Sequence, residues 1–324
     1  MKKDELRIVY MGTPEFAVES LRTLVEKGYN VVGVITVPDK PVGRHGSVLR
    51  PSPVKEYAGA KHIPVLQPEK LKNEVFLSRL REWNADLQIV VAFRMLPEVV
   101  WDMPRLGTFN LHASLLPQYR GAAPINRAVI NGETETGVTT FFLTHEIDTG
   151  KIIRQKQIPV ADTDDAGIVH DKLMKAGAAL VIETTDLILS GEVDTISQEQ
   201  LYQHASELHP APKLTKETCR IDWSLPLKKT YDFVRGLSPH PAAWTELVAP
   251  NGDKQAVKIY QTEKHPASHQ LPAGVIVTDN KKYIEIAVPG GYLRLISLQL
   301  AGKKRMNATD FLNGFKQLEG YTVV

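Results

Sequence analysis

The sequence predicts an α/β chain in which a parallel, doubly wound sheet is followed by a small β-barrel of the oligonucleotide-binding type. Three observations carry this. From Leu6 to Ala92, short apolar runs alternate with stretches of helical apolar spacing, the signature of strand–helix–strand units. Beyond residue 210 the period changes to short strand-like runs separated by Asn-Gly, Asp-Asn and Gly-Gly turns, as in small antiparallel barrels. At 324 residues the chain also exceeds what one hydrophobic core ordinarily serves, so two domains are expected.

The first strand, Leu6 to Met11, stops at Gly12-Thr13-Pro14. Pro14 suits a first helical turn, where its missing N–H costs nothing. Phe16, Ala17, Leu21 and Leu24 then recur at helical spacing up to Gly28, and Val31 to Val37 is a second buried strand. The Gly-Thr-Pro turn lacks G-x-G-x-x-G, which argues against a nicotinamide dehydrogenase. Residues 38–53 hold four prolines and two glycines and read as a long loop, functional or simply solvated, carrying Lys40, Arg44, His45 and Arg50. Helices over 54–60 and 74–83 and strands over 64–66 and 87–92 continue the alternation. The loop Phe93 to Pro97 and residues 110–117 then fall at the carboxyl edge, where ligands bind in open α/β sheets.

Strands follow over Val138 to Leu143 and Lys151 to Val160. The acidic cluster 162–165 caps a helix over 166–189, whose Gly and Ala content means close packing. The predicted domains are 1–190 and 210–324, with a crossing linker at 191–209. The second contains Trp223, a helix over 228–236, Trp244, strands near 256–260, 274–277, 283–287 and 292–298, and the basic run Lys303, Lys304, Arg305.

Net charge is only +2, but residues 210–324 carry 16 Lys and Arg against 10 Asp and Glu, and the remainder 23 against 27. A basic C-terminal part beside an acidic N-terminal part suggests an anionic partner for the former. The single cysteine, Cys219, excludes an intrachain disulfide and a multi-cysteine zinc site. No run reaches the about 18 apolar residues of a membrane span, and no cleavable leader pattern opens the chain. A soluble, cytoplasmic protein is expected.

The stretch 107–150 concentrates the candidate chemistry. Asn110 and His112 stand two apart on a strand, so both side chains leave one face while Phe109 and Leu111 leave the other. A carboxamide can donate to an oxygen that gains negative charge, and an imidazole exchanges protons near neutrality. Asp148 can hold the imidazole, accept a proton through water, or orient an attacking amine. Ser114 is an alternative nucleophile, but it lacks the G-x-S-x-G elbow. His145 and Glu146 compete for the role of Asp148. The remaining histidines show no metal-ligand spacing, so no metal is expected.

These residues also carry a resemblance. NLHASLLP at 110–117, RGAAP at 120–124, GVT at 137–139 and DTG at 148–150 together resemble the folate-dependent formyltransferase family. MGTP at 11–14, PDKPVGR at 38–44, PSPVK at 51–55, RIDW at 220–223 and AGKK at 301–304 extend the resemblance along nearly the whole chain, to members that act on aminoacylated tRNA. It implies a Rossmann-like formyl-transfer domain joined to an OB-like barrel. It further implies 10-formyltetrahydrofolate as formyl donor and the α-amino group of methionyl initiator tRNA as acceptor, for translation initiation. By the same resemblance Asn110, His112 and Asp148 are catalytic, and Ser114, Leu115, Leu116 and Pro117 line the folate site. Arg44 would enter the acceptor-stem end of the tRNA. Lys303 and Lys304 would meet its backbone, contacts that supply salt-dependent affinity and not base choice. Arg94, in a loop that departs from the family pattern, would touch the folate glutamate tail or face solvent. A monomer is expected. The alternatives are formylation of a small amine, such as a sugar nucleotide, and an RNA-binding protein without catalysis. The basic barrel and the Arg44 loop favour the tRNA acceptor.

Overall fold

The computed structural model describes residues 2–42, 48–315 and 318–324. The chain forms two compact units. The first takes Met1–Gly121, Thr136–Ile158 and His170–Pro210; the second takes Ala122–Glu135, Pro159–Val169 and Ala211–Val324. The units therefore do not follow chain order: two internal stretches belong with the C-terminal part.

In order, the elements up to the middle of the chain are β1 (Ile8–Gly12), α1 (Glu15–Glu26), β2 (Val31–Ile35), β3 (Lys40–Val42), β4 (Val48–Arg50), α2 (Pro53–Ala60), β5 (Val65–Leu66), α3 (Glu74–Glu82), β6 (Leu87–Val91), α4 (Glu98–Trp101), β7 (Thr108–His112), α5 (Pro124–Asn131), β8 (Glu135–Phe142), β9 (Ile152–Pro159) and α6 (Ala166–Ser190). The first unit is built on a seven-stranded sheet of order β5-β2-β1-β6-β7-β8-β9. Its strands are parallel from β5 to β7, and β8 then runs antiparallel to β7. The predicted parallel α/β sheet is thus present, with an antiparallel margin beyond β7.

β1 is buried along its whole length, as a central strand covered on both faces must be. Val9, Met11, Ile35, Leu77, Leu80 and Val90 form part of one core. Helix starts follow their caps: Ser52 Oγ accepts from Lys55 N–H at 3.1 Å, with Pro53 in the first turn of α2. On the other side of the sheet's chemistry-bearing strand, α6 meets Leu111. A Cβ on Gly177 would stand 2.6 Å from Leu111 Cδ2, so any larger residue there would require the leucine side chain to shift.

Three local expectations are corrected. Residues 38–53 are not a structureless loop, because β3 and β4 pair as an antiparallel ribbon with Pro41 opposite Leu49. A two-stranded ribbon has only edge positions, which is where proline is tolerated. Helix α5 follows the RGAAP turn, where no helix was predicted; Pro124 opens it. The 191–209 linker contains short 3₁₀ turns at Gln198–Leu201 and Ala205–Glu207.

The second unit adds α7 (Leu227–Leu237), β10 (Ala243–Val248), β11 (Lys254–Pro266), β12 (Ile276–Thr278), β13 (Ile284–Val288), β14 (Gly291–Leu300), β15 (Met306–Asn307), α8 (Ala308–Gly314) and β16 (Thr322–Val323). Its antiparallel sheet has the order β12-β13-β14-β11-β10-β16, with β15 on β14. A bridge between Val275 and Thr322, with Val323 N–H donating to Gly274 O at 2.9 Å, brings the two ends together into a nearly closed barrel. Strand β10 alternates buried and half-buried residues, and Val257, Ile259, Ile286, Leu293 and Leu295 fill the interior. Trp223 can sit in this core because its indole N–H donates to Thr245 Oγ1 at 2.9 Å. No helix among the described residues is long and apolar enough to cross a membrane.

Candidate active site

The site grows from the carboxyl end of β7. Phe109 and Leu111 are buried in the core, while Asn110 is half-buried and His112 buried on the other face. The Asn110 carboxamide oxygen is buried without a hydrogen-bond partner. An unmet buried acceptor is costly and calls for a partner. Strands β6 and β7 run side by side with Val91 opposite Leu111, so their following loops leave the same edge. The loop after β6 borders an open cleft of about 690 Å³ lined by Leu71, Lys72, Met95, Leu96, Pro97 and Val99.

His112 is held by one nitrogen and open at the other. Its Nε2 lies 2.8 Å from the carbonyl oxygen of Tyr119. A carbonyl only accepts, so Nε2 carries a proton and Nδ1 is the nitrogen left for chemistry. Nδ1 faces Asp148 Oδ2 across 3.8 Å, with side-chain exposures of 8% and 12%. That gap exceeds hydrogen-bond reach, about 3.2 Å. With the imidazole neutral, two acceptors confront each other, and a proton delivered between them relieves the repulsion. Gly121 N–H donates to the same Asp148 oxygen at 3.0 Å, which fixes the carboxylate. Tyr119 and Asp148 both hold positive φ, +60° and +57°, conformations that side-chain-bearing residues adopt only when their surroundings impose them.

Asn110, His112 and Asp148 all lie in the first unit, and the structure brings the last two together. Ser114 is fully buried and its Oγ donates to Gln118 O at 2.6 Å, so it is a turn former and not a nucleophile. Leu116 and Pro117 are also buried, and Leu115 is half-buried. Leu116 is pinned through both backbone groups: its N–H donates to Thr139 Oγ1 and its carbonyl accepts from Gln155 Nε2, at 3.1 and 2.8 Å. Of these four, Leu115 keeps the most surface free. His145 is exposed, 3.4 Å from Glu98 Oε1 and edge-on to Trp101, and does not take the place of Asp148. Arg94 neither faces solvent freely nor points outward for a ligand; it donates to the carbonyls of Pro68 and Glu69. Lys303 and Lys304 are exposed in the turn between β14 and β15. Arg44 lies outside the described residues.

Sequence reasoning passed over Arg120 and Gln198. Gln198 is 1% exposed, and its Nε2 donates to the carbonyls of Asp148 and Gly150 at 2.9 and 2.8 Å. Its Oε1 accepts from Arg120 Nε and Nη2 at 3.0 and 2.7 Å. Arg120 stood in a quoted motif and was visible; a lone glutamine in a polar segment gave no signal. Among the described residues, no three His, Cys, Asp or Glu side chains come together as a metal-binding group.

Comparison with known proteins identifies the family. Residues 6–185 match the model of the formyl transferase family and residues 213–316 that of the formyl transferase C-terminal domain. The methionyl-tRNA formyltransferase of Parabacteroides distasonis is 73% identical over 323 residues, covering 100% of both chains. Those of Bacteroides thetaiotaomicron and Porphyromonas gingivalis are 66% and 50% identical, covering 99% and 97% of both chains. Among solved structures, HypX from Aquifex aeolicus in complex with tetrahydrofolic acid aligns with a TM-score of 0.64 at 17% identity, covering 96% of this chain and 48% of that one. The N-formyltransferase of Helicobacter canadensis in complex with folinic acid and dTDP-3-aminofucose aligns with a TM-score of 0.62 at 17% identity, covering 93% and 100%. At such identities these two likenesses concern the fold.

Proposed function

The chain belongs to the formyl transferase family, and from that premise we propose that it transfers a formyl group from 10-formyltetrahydrofolate to the α-amino group of methionyl initiator tRNA, for translation initiation. The observation that carries the acceptor is identity of 73% along the entire length of a methionyl-tRNA formyltransferase, C-terminal barrel included. In this reading residues 1–190 bind the donor and carry out transfer, 191–209 link, and 210–324 bind tRNA through Lys303 and Lys304. Arg44 meets the acceptor end. The protein works as a cytoplasmic monomer, without a metal ion.

The site's own group that suits a donor is the unmet buried amide oxygen on Asn110. The donor supplies a formyl carbon open to attack by an amine. Asn110 offers its N–H₂ to the formyl oxygen as negative charge builds there, and its unmet oxygen accepts from the incoming amine or from the donor. His112, anchored at Nε2, works through Nδ1. Asp148 faces that nitrogen and takes up the proton the amine must lose, directly or through the imidazole. The pair then holds the proton while the tetrahedral intermediate collapses: the bond from the formyl carbon to N10 of the donor breaks, and the departing tetrahydrofolate nitrogen takes up a proton as the formylated amine is released. Leu115 to Pro117 lend the donor a rigid rim and not a set of reaching side chains.

The test is incubation with labelled 10-formyltetrahydrofolate and methionyl initiator tRNA. Formyl-methionyl-tRNA is the expected product. Labelling of a small amino sugar with none of the tRNA would overturn the acceptor; labelling of neither, with salt-sensitive tRNA binding intact, would overturn the enzyme.

A further inference from the structure

Gln198 is a buried amide whose every hydrogen-bonding capacity is used, by partners from two other parts of the first unit. Its two N–H hydrogens go to the main-chain oxygens of Asp148 and Gly150, and its oxygen takes two donors from one guanidinium, that of Arg120. We infer that Gln198 is a positioning residue for Asp148, with Arg120 dictating which way its carboxamide points. The inference rests on the reading of Asp148 as the proton acceptor.

The chemistry of the partners leaves one arrangement. A guanidinium only donates, so the Gln198 oxygen must face Arg120. The amino group is thereby turned toward the 148–150 turn, whose two carbonyls only accept. Reversal would set an oxygen against two carbonyls and an amino group against a cation. The grip falls where the backbone needs it, since Asp148 sits at φ +57°. The neighbouring residue works on the other half of the same group: Gly121 N–H holds the carboxylate, while Arg120 acts through Gln198 on the main chain beneath it. One short turn, 120–121, therefore sets both the backbone and the side chain of Asp148. It also sets the 3.8 Å separation from His112 Nδ1.

The experiment compares Gln198→Met, Arg120→Met, their double variant and Asp148→Asn in formyl transfer, by kcat, KM for both substrates and the pH profile of kcat. Gln198→Met is expected to lower kcat about tenfold to a hundredfold, with either KM moving within about threefold and a displaced pH profile. Arg120→Met should lower kcat comparably. The double variant should be no slower than Gln198→Met alone, because Arg120 acts through the amide. Arg120→Lys, which keeps one donor, should recover much of the loss. Unchanged kcat in Gln198→Met alongside an impaired Asp148→Asn overturns this inference alone. So does a kcat loss that only follows the fraction folded, with the pH profile intact, or an effect of Arg120→Met that multiplies with that of Gln198→Met. Wild-type kcat in Asp148→Asn removes the reading beneath it as well. Should Gln198→Met fail to fold, the half-exposed Arg120 variants decide: wild-type kcat and pH profile in Arg120→Met overturns the inference.

Discussion

His112 Nδ1 and Asp148 Oδ2 face each other across 3.8 Å, too far for a hydrogen bond and with almost no water-accessible surface on either side chain. Each is fixed from behind, the imidazole by Tyr119 O and the carboxylate by Gly121 N–H. With both groups oriented in this way, the space between them is suited to a proton brought in by substrate. Asp148→Asn replaces the acceptor with a near-isosteric amide. We expect kcat to fall about 10²- to 10⁴-fold, the range of general acid–base contributions, with the thermal midpoint close to wild type. Steady-state formyl transfer and a melting curve on the same preparation check both halves.

Gly150 tests the same turn by steric means. A Cβ built there lies 1.7 Å from the carbonyl oxygen of Phe142, at the end of β8. Phe142 N–H is itself bonded to Lys151 O at 3.1 Å, so the two backbones cannot part without breaking that link. Gly150→Ala should cost about 1–3 kcal/mol of stability or more and displace Asp148, only two residues away. The expected outcome is a lowered thermal midpoint together with a kcat loss like that of Asp148→Asn. Wild-type values of both would show that the turn relaxes freely.

Much of this was legible in the sequence because the signals are local. The runs that became β1, β2, β6 and β8, and the stripe of α6, announce themselves by apolar period. Asn110 and His112 share a face by strand parity alone. What was not legible is what depends on distant partners. The sequence offers Ser114 as an alternative nucleophile that lacks the elbow, and only its burial and its bond to Gln118 O account for the hydroxyl. Gln198 is a polar residue among polar residues, and its role exists only because the chain returns it to the 148–150 turn. The ribbon of β3 and β4 was hidden by prolines, which mask strand propensity without forbidding an edge pair. Helix α5 belongs with α7 in the second unit, where Asn126 Nδ2 donates to Gly236 O at 2.8 Å, a pairing across more than a hundred residues.

The base of that ribbon carries a pH dependence. Asp39 precedes β3; Lys55 Nζ and Gln67 Nε2 each donate to its carboxylate at 2.7 Å. The Lys55 hydrogen bond first, then that from Gln67, holds the Asp39 carboxyl below its ordinary value of 3.8. A depressed carboxylate pKa stabilises the fold above the unfolded value, and the contribution is lost as pH falls through the folded one. Wild type should therefore melt above Asp39→Asn at pH 7, and the difference should shrink below pH 3.8 and vanish as Asp39 takes up its proton. The Lys55 pair is partly exposed, so added salt should narrow the difference at pH 7 as well. Melting curves of both proteins across acid pH at two salt concentrations provide the measurement; a difference that persists at low pH would locate the effect in packing.

Lys303 and Lys304 sit exposed in the turn between β14 and β15. The turn is held from below: Lys303 N–H donates to Leu300 O at 3.0 Å and its carbonyl accepts from Gln299 Nε2 at 2.7 Å. Arg305, next in sequence, is engaged instead, its Nε on Ser297 Oγ at 2.7 Å and its guanidinium over the Tyr260 ring at 4.3 Å. The two lysines are thus a presented pair on a fixed base, suited to phosphates as point charges. If they meet the tRNA backbone, Lys303→Ala and Lys304→Ala should each weaken binding and lower the slope of log affinity against log salt by about one. Donor affinity and thermal midpoint should not move, because neither side chain touches the site or the core. Filter binding of methionyl initiator tRNA across a salt series measures the slope. An unchanged slope in the double variant would take this turn out of the RNA contact and leave the barrel's positive charge to act elsewhere on its surface.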